Sequence, residues 1–400
     1  MASGTHLSGF NDFVEATGPV YLTGPKSIVN EAQLNTYSFS SLTMGDRGKK
    51  KMIQGGETIR ESIVFDSNGT AKFHKPGATQ NWVNPQNLKK IQARWRFMIA
   101  HMAWTRQEIM LNDRMSYGNA DTRYQQYVDL LYEKEMMMWT DKWNLVESHL
   151  WAAGDPTEME DEAGVQPYSI PYFVNEDTNG LFNPRASAVA TTVEGIDPTA
   201  TGFTKFVPKT RVYTNEAINN TAGTNNIIDA FDLMWKDVRF EMPPTYQEYF
   251  TSPKYNKQCI YTSGAGHTAY GRLIRQHSTE GFHNIAGAQD PAIPDPQYKG
   301  IPIRWVASLD TAPLYNSGSS TVVAEGTANV VGPRFYWLNA EFLYPVFHSE
   351  MYFEKDEVTR DHNDPDSFVC PVATWYNVVC TSRQRLGIVS PAVSLYTQLY

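Results

Sequence analysis

Cysteine is scarce. Three residues in 400, Cys259, Cys370 and Cys380, cannot build a disulfide framework, and no two of them stand in the CxxC spacing of a zinc site. There is no run of 18 apolar residues, so no stretch reads as a membrane-crossing helix. The opening MASGTHLSGFNDFVEATGPV has neither a basic start nor an apolar core and does not read as a secretory signal. These features lead us to expect a chain folded in a reducing cytoplasm, in which the sequons at Asn68 and Asn219 are chance matches.

Charge is also sparse. Charged residues make up 19% of the chain, below the usual level of about 25%, and the net charge of −9 argues against a sequence-specific nucleic-acid binder, which carries a basic stripe. A container that does not stick to nucleic acid inside it is still allowed. Catalytic signatures are missing: HExxH, GxSxG, GxGxxG and the P-loop pattern do not occur. SGAGHTAYG, from Ser263, is glycine-rich after a strand-like run, but its glycines serve the turn into the next helix. The densest acid–histidine cluster is His348, Glu350, Glu354, Asp356, Glu357, Asp361, His362, Asp364 and Asp366. Carboxylates and imidazoles are metal-ligand chemistry. Within it, however, DHNDPDS puts Pro365 where a calcium loop needs an oxygen, and no glycine follows. It reads as a solvated loop, so no catalytic residue, metal or cofactor is expected. A metal-dependent hydrolase built on His348, His362 and nearby carboxylates is the competing reading.

Aromatics are plentiful at 13%, beside 27 Gly and 23 Pro. Such a mixture suits many strands and turns with either broad contact surfaces or a large aromatic core. The longest helical signal runs from Thr122 to Ala153. Val128, Tyr132, Met136, Trp139, Trp143, Val146 and Leu150 recur every three or four residues and so share one helix face. Asp121 is placed to cap the start, and Gly154 with Pro156 ends the helix. The stripe is too aromatic and too short for a coiled coil, so this helix is expected to pack across a sheet.

Residues 1–44 carry little charge and no sustained period. Their scattered aromatics suit an arm lying along a neighbouring surface, with a disordered tail as the alternative. Ile59–Asp66 and Thr70–Lys75 flank Ser67-Asn68-Gly69, a hairpin signal because Asn and Gly tolerate positive φ. This hairpin is too polar to bury a core of its own; it either rests on something else or edges its own domain. Lys90–Trp104 alternates as a long strand, with Ile91, Ala93, Trp95, Phe97 and Ile99 on one face and Gln92, Arg94 and Arg96 on the other. Thr105 and Glu108 make a capping box for a short helix. An acidic loop follows the long helix at Glu158, Glu160, Asp161 and Glu162. The middle then reads strand–helix–strand: a helix over 226–240, strands at Gln258–Ser263 and Gly300–Val306, and a helix around His267–His277. The end of the chain returns to long aromatic strands over 333–353 and 367–389.

This order of elements, with RESIVFDSNGTAKFH, KGIPIRWV and TWYNVVCTSRQRLGIVSP, resembles the major capsid proteins of tailed bacteriophages with the Hong Kong 97-type fold. The resemblance implies an α+β chain made of an N-terminal arm (1–44), an extended β-hairpin loop (45–82), a peripheral domain with a spine helix (83–154), an axial domain (155–330) and return strands to the peripheral sheet (331–400). It implies self-assembly as pentamers and hexamers into an icosahedral virion shell in the host cytoplasm, around double-stranded DNA bound without sequence specificity and with no membrane. Separate scaffold and portal proteins and a decoration protein are the implied partners. The chain begins directly at the arm, which implies a mature product or a separate scaffold. Inter-subunit contacts are expected from Arg60, Glu61, Asp66, Asn68, Lys72, Lys75, Glu160 and Asp161. An encapsulin-like compartment is the alternative on the same fold.

Overall fold

The computed structural model describes residues 37–43, 49–64, 73, 88–108, 120–152, 156–174, 193–197, 203, 205–213, 226–238, 257–279, 296–311, 313–315, 322–324, 333–360, 364 and 366–391. In chain order the principal elements are helix α1 (Ser38–Thr43) and strands β1 (Lys51–Ile53), β2 (Thr58–Val64), β3 (Leu88–Arg94) and β4 (Arg96–Thr105). Next come helix α2 (Ala120–Trp151), strand β5 (Lys209–Tyr213), helix α3 (Ile227–Val238), strand β6 (Gln258–Thr262), helix α4 (Gly264–Thr279), and strands β7 (Gln297–Tyr298) and β8 (Ile301–Trp305). Strands β9 (Pro313–Tyr315), β10 (Val322–Ala324), β11 (Phe335–Asn339), β12 (Leu343–His348), β13 (Glu354–Lys355), β14 (Thr359–Arg360), β15 (Ser367–Cys380) and β16 (Gly387–Pro391) complete the chain. The fold is α+β. Two compact bodies divide it. One holds residues 99–145 and 353–373, the other 36–98, 146–352 and 374–400.

In the smaller body β13 and β14 pair antiparallel with the first half of β15, Glu354 opposite Ala373 and Thr359 opposite Val369. The long helix lies on this layer through Met138, which is buried with Met102, Trp104, Cys370 and Val372. The contact face is rotated from the stripe read in the sequence. Tyr132 is exposed, Trp139 and Trp143 are half-buried, and Lys142 is buried among them. The Lys142 ammonium donates to the Val372 carbonyl at 3.2 Å and lies 4.8 Å from the Phe353 ring centroid. Trp139 and Trp143 flank the same ring at 5.5 and 5.7 Å. Phe353 has φ 53°, a left-handed conformation that costs a bulky residue about 1–2 kcal/mol, and the clamp of two indoles and a cation holds it there. The capping box forms as expected: Thr105 N donates to Glu108 Oε2 at 3.2 Å, and Glu108 N to Thr105 Oγ1 at 3.3 Å.

The larger body is built on a six-stranded sheet in the order β5-β16-β11-β6-β8-β7. Parallel β6 and β8 are joined through α4, the connection that parallel neighbours require. Phe231 of α3 packs edge-on against Phe335 and Trp337 of β11 at 4.9 and 5.4 Å. Beside them Ile260, Leu273, Ile303 and Val389 fill the core. The expected return segment 331–400 therefore divides. β11 and β16 enter this sheet, whereas β12 pairs parallel with β1 and antiparallel with the second half of β15. The end of the expected arm is helical and docked, with Phe39 packed on Phe347 and Tyr376. The remainder of residues 1–36 lies outside the described residues.

Buried Glu147 explains that docking. Its carboxylate accepts from Ser38 N at 2.9 Å, Phe39 N at 2.8 Å, the Ser38 hydroxyl and the Trp151 indole N–H at 3.0 Å. It thus satisfies N–H groups that the first turn of a helix leaves orphaned. In the same body, Asp310 closes the start of α4, accepting from Gly264 N at 2.6 Å and from the Trp305 indole at 2.7 Å. A carboxylate already occupies the place where SGAGHTAYG would have presented backbone N–H groups to an anion.

Candidate functional site: the ribbon and its root

β2 and β3 form an antiparallel ribbon with Thr58 opposite Arg94 and Val64 opposite Leu88. Among the described residues it pairs with no other strand. The run from Ile59 to Val64 pairs with Leu88–Arg94, and Thr70–Lys75, apart from Phe73, lies outside the described residues. The expected tip, with Asp66, Asn68, Lys72 and Lys75, lies outside the described residues. Alternation places Ile59, Ile91 and Ala93 on a buried face near the root, while Arg60, Ser62, Lys90 and Gln92 face solvent. The ribbon is anchored at its root, and farther out Lys89 lies over the Phe203 ring at 4.2 Å, while its exposed face is open to another surface.

The root is a hinge of defined chemistry. Gly55 and Gly56 have φ 75° and 97°. A Cβ at Gly55 would meet nothing within 4 Å, so the backbone conformation, not crowding, calls for glycine there. Gly55 N donates to His348 Nε2 at 3.2 Å, and the Trp95 indole donates to the Gly56 carbonyl at 2.8 Å. The His348 ring stands between the Trp95 and Trp375 rings, 5.5 and 5.2 Å away, and Glu350 N lies 3.3 Å from its Nδ1; a neutral imidazole accepts at one nitrogen only, so its tautomer selects one of the two amides. The histidine on which a hydrolase would depend is enclosed by two indoles, with a backbone amide facing each of its nitrogens, and His362 lies outside the described residues. Among the described residues no group of three His, Cys, Asp or Glu is arranged to hold a metal ion.

Trp95 also ends the long strand expected over Lys90–Trp104. Trp95 and Arg96 are both buried, which breaks the period of two and exchanges the faces: Phe97 and Ile99 emerge at 66% and 69% exposure while Arg96 turns inward. The Arg96 guanidinium donates to the carbonyls of Met159 at 2.6 Å, Asp161 at 2.9 Å and Gly164, fastening the acidic loop. Behind it, Asn377 is fully buried. Its side-chain oxygen accepts from Tyr168 N at 2.9 Å and Val378 N at 2.8 Å, and its amide donates to Arg94 O at 2.7 Å.

The expected contact residues separate by this geometry. Arg60 is exposed, its Nε donating to Thr58 Oγ1 at 3.0 Å. Asp161 is exposed, its carboxylate accepting from Glu162 N at 2.6 Å. Glu61 pairs with Lys51 across the ribbon root. Glu160 points into its own body, accepting from the phenols of Tyr168 at 3.3 Å and Tyr172 and from Glu194 N at 3.0 Å. The sequence reading missed Glu147, Arg96, Glu194 and Asn377 as organising residues. Only Asn377 carried a usable signal, an amide in the apolar run TWYNVVC.

No protein-family profile and no curated protein sequence matches the chain. Solved structures do. The capsid asymmetric unit of cyanophage A-1(L) superposes with a TM-score of 0.51 at 12% identity, covering 92% of this chain and 98% of that one. The capsid of a native GTA particle superposes at 0.48 and 12% identity, covering 95% and 98%. The mature capsid of bacteriophage PhiM1 superposes at 0.44 and 12% identity, covering 92% and 90%. At such identity the likeness speaks of fold, and the first superposition, along nearly the whole of both chains, carries it. The chain has the Hong Kong 97-type fold of tailed-phage major capsid proteins.

Proposed function

We propose that this chain is a structural protein, the major subunit of a virion capsid, assembling as pentamers and hexamers into an icosahedral shell around double-stranded DNA in the host cytoplasm. The observation that carries the reading is the superposition on a phage capsid subunit along 92% of the chain. The ribbon, held at its root and polar on its exposed face, supports it. In this reading the ribbon is the extended loop that reaches a neighbour, running from the Gly55–Gly56 hinge to Trp95 and so beyond the 45–82 expected from sequence. The long helix with β4, β13, β14 and β15 is the peripheral domain, and the β5–β16–β11–β6–β8–β7 sheet with α3 and α4 is the axial domain. Arg60, Asp161 and the tip residues Asp66, Asn68, Lys72 and Lys75 are the proposed inter-subunit contacts. Glu61 and Glu160 serve the subunit itself.

The net charge of −9 suits a wall that confines duplex DNA without gripping it, since phosphate contacts supply most non-specific affinity. Scaffold, portal and decoration proteins are the partners that this reading brings with it. Electron microscopy of the purified full-length protein tests it, with closed icosahedral particles as the expected result. A protein that stays a small discrete oligomer by light scattering under all assembly conditions refutes it, and particles that hold protein cargo in place of DNA select the encapsulin-like alternative.

A further inference from the structure

The tight turn Val193–Ile196 carries a side chain that its backbone does not favour. Val193 and Ile196 exchange backbone hydrogen bonds at 2.8 and 2.9 Å. Between them Glu194 and Gly195 both have positive φ, 52° and 75°, the two-residue loop that Asn-Gly or Gly-Gly suits best. A glutamate there costs about 1 kcal/mol of backbone strain, so its side chain and position must supply the reason for it.

That side chain is fully buried. Oε1 accepts from Cys380 N at 3.0 Å, and Oε2 has no hydrogen-bond partner among the described residues. The backbone of the same residue joins two further elements: Glu194 N donates to Glu160 Oε1 at 3.0 Å, and Glu194 O accepts from Gln92 N of β3 at 3.1 Å. One residue therefore ties the ribbon root, the acidic loop and the end of β15 together. The charged and titratable groups facing it are Glu160, Glu61, Arg383, the Cys380 thiol and the Tyr344 phenol, with Tyr168 and Tyr172 closing around Glu160. Arg383 donates to the carbonyls of Phe173 at 2.9 Å and Phe206 at 3.2 Å, and no hydrogen bond joins it to Glu194. Burial, reinforced by the Glu160 charge, pushes the Glu194 carboxyl well above the usual carboxylate range, against the opposing pull of the Cys380 amide and Arg383. A carboxylate with one amide donor and one empty oxygen is costly in such a site, and the neutral acid costs less.

We propose that Glu194 is carried in the folded subunit as a neutral carboxylic acid and acts as an alkali-released catch on the root of the β2–β3 ribbon. Losing its proton inside the fold sets a bare charge against Glu160, loosens the turn from Gln92 and frees the ribbon at its base. The catch is a property of the subunit. Only its consequence for a shell rests on the capsid reading, and microscopy tests that separately.

Hydrogen exchange followed by mass spectrometry on the full-length protein, between about pH 5 and 9 and corrected with an unstructured reference peptide, reads the catch directly. While the folded group keeps its proton, opening that releases it is favoured up to about tenfold per pH unit. Protection of peptides covering 88–95 and 193–197 is expected to fall along that slope in the wild type and to stay level in Glu194→Gln, which keeps the acceptor for Cys380 N. Equal slopes in the two proteins, or level protection in both, overturn the proposal. Infrared spectra of the wild type with carboxyl-labelled glutamate need no variant. A protonated-carboxyl band at about pH 7 that disappears in alkali together with the protection is expected, and its absence at neutral pH overturns the proposal as well.

Discussion

Replacing Glu147 by alanine probes how the N-terminal segment is fastened. The substitution leaves the N–H groups of Ser38 and Phe39 and the Trp151 indole without the carboxylate that accepts from all three. Hydrogen bonds to a charged acceptor contribute about 1.5–3 kcal/mol each, and a buried donor left unpaired costs about 1–3 kcal/mol. The penalty does not simply multiply, because the chain can escape it by undocking α1. Undocking re-exposes Phe39 and Leu42, buried to 2% and 5% exposure, at about 1.5–3 kcal/mol apiece. The smaller cost governs, so Glu147→Ala is expected to destabilise the subunit by about 3–5 kcal/mol. That corresponds to a melting shift of roughly 10 °C for a body of this size, read by urea or thermal unfolding of unassembled protein. The route is tested by a double-mutant cycle with Phe39→Ala. If α1 has already left in Glu147→Ala, the second truncation adds little. Fully additive losses, or a Glu147→Ala loss under about 1 kcal/mol, refute the reasoning.

Four further outcomes follow from other sites. Burial lowers the Lys142 amine to about 8 from an unfolded value near 10.4. The unfolded chain therefore binds more protons between those two values, and stability should rise with pH across that window. Lys142→Met should abolish the rise and stabilise the protein near neutral pH, as urea midpoints measured from about pH 7 to 10 will show. Trp143→Ala, at a half-buried position over Phe353, is expected to cost about 2 kcal/mol, less than the 3–5 of a fully buried aromatic, and an unchanged melting curve would mean the indole does not support that strained residue. Gly56→Ala forces a side chain to φ 97° and should cost about 1–2 kcal/mol with faster proteolysis of the ribbon, whereas neutrality would show that the hinge conformation is not required. Deleting residues 62–71 should leave a folded subunit, judged by circular dichroism and melting, that no longer forms stable particles under the microscope; an unfolded monomer would place the outer ribbon in its own core.

Local order was legible where one residue type answers one local demand. The long helix was readable from spacing and its stop signals, and its observed span, Ala120–Trp151, differs from the expected one by two residues at each end. Thr105 and Glu108 announced their capping box. The order of elements along the chain pointed to the capsid fold even though identity with the superposed capsid subunit is 12%, because burial periodicity and turn chemistry persist when individual residues do not.

Pairing and facing were decided only in three dimensions. The buried residues of the long helix include Lys142 in one body and Glu147 in the other, which a hydrophobic stripe cannot include; a carbonyl and two aromatic rings make the first tolerable, and the start of α1 the second. The apparent single strand over Lys90–Trp104 broke because Arg96 found three backbone carbonyls on a loop more than sixty residues away, and no local pattern reports a distant acceptor. The C-terminal strands divided between two sheets for the same reason: β11 and β16 satisfy their backbone groups against β6 and β5, and the choice of partner belongs to the closed sheet. Glu194 is the limiting case. In sequence it is one acid in the stretch VEGI, and its chemistry arises wholly from the turn that carries it inward and from the groups that meet it there.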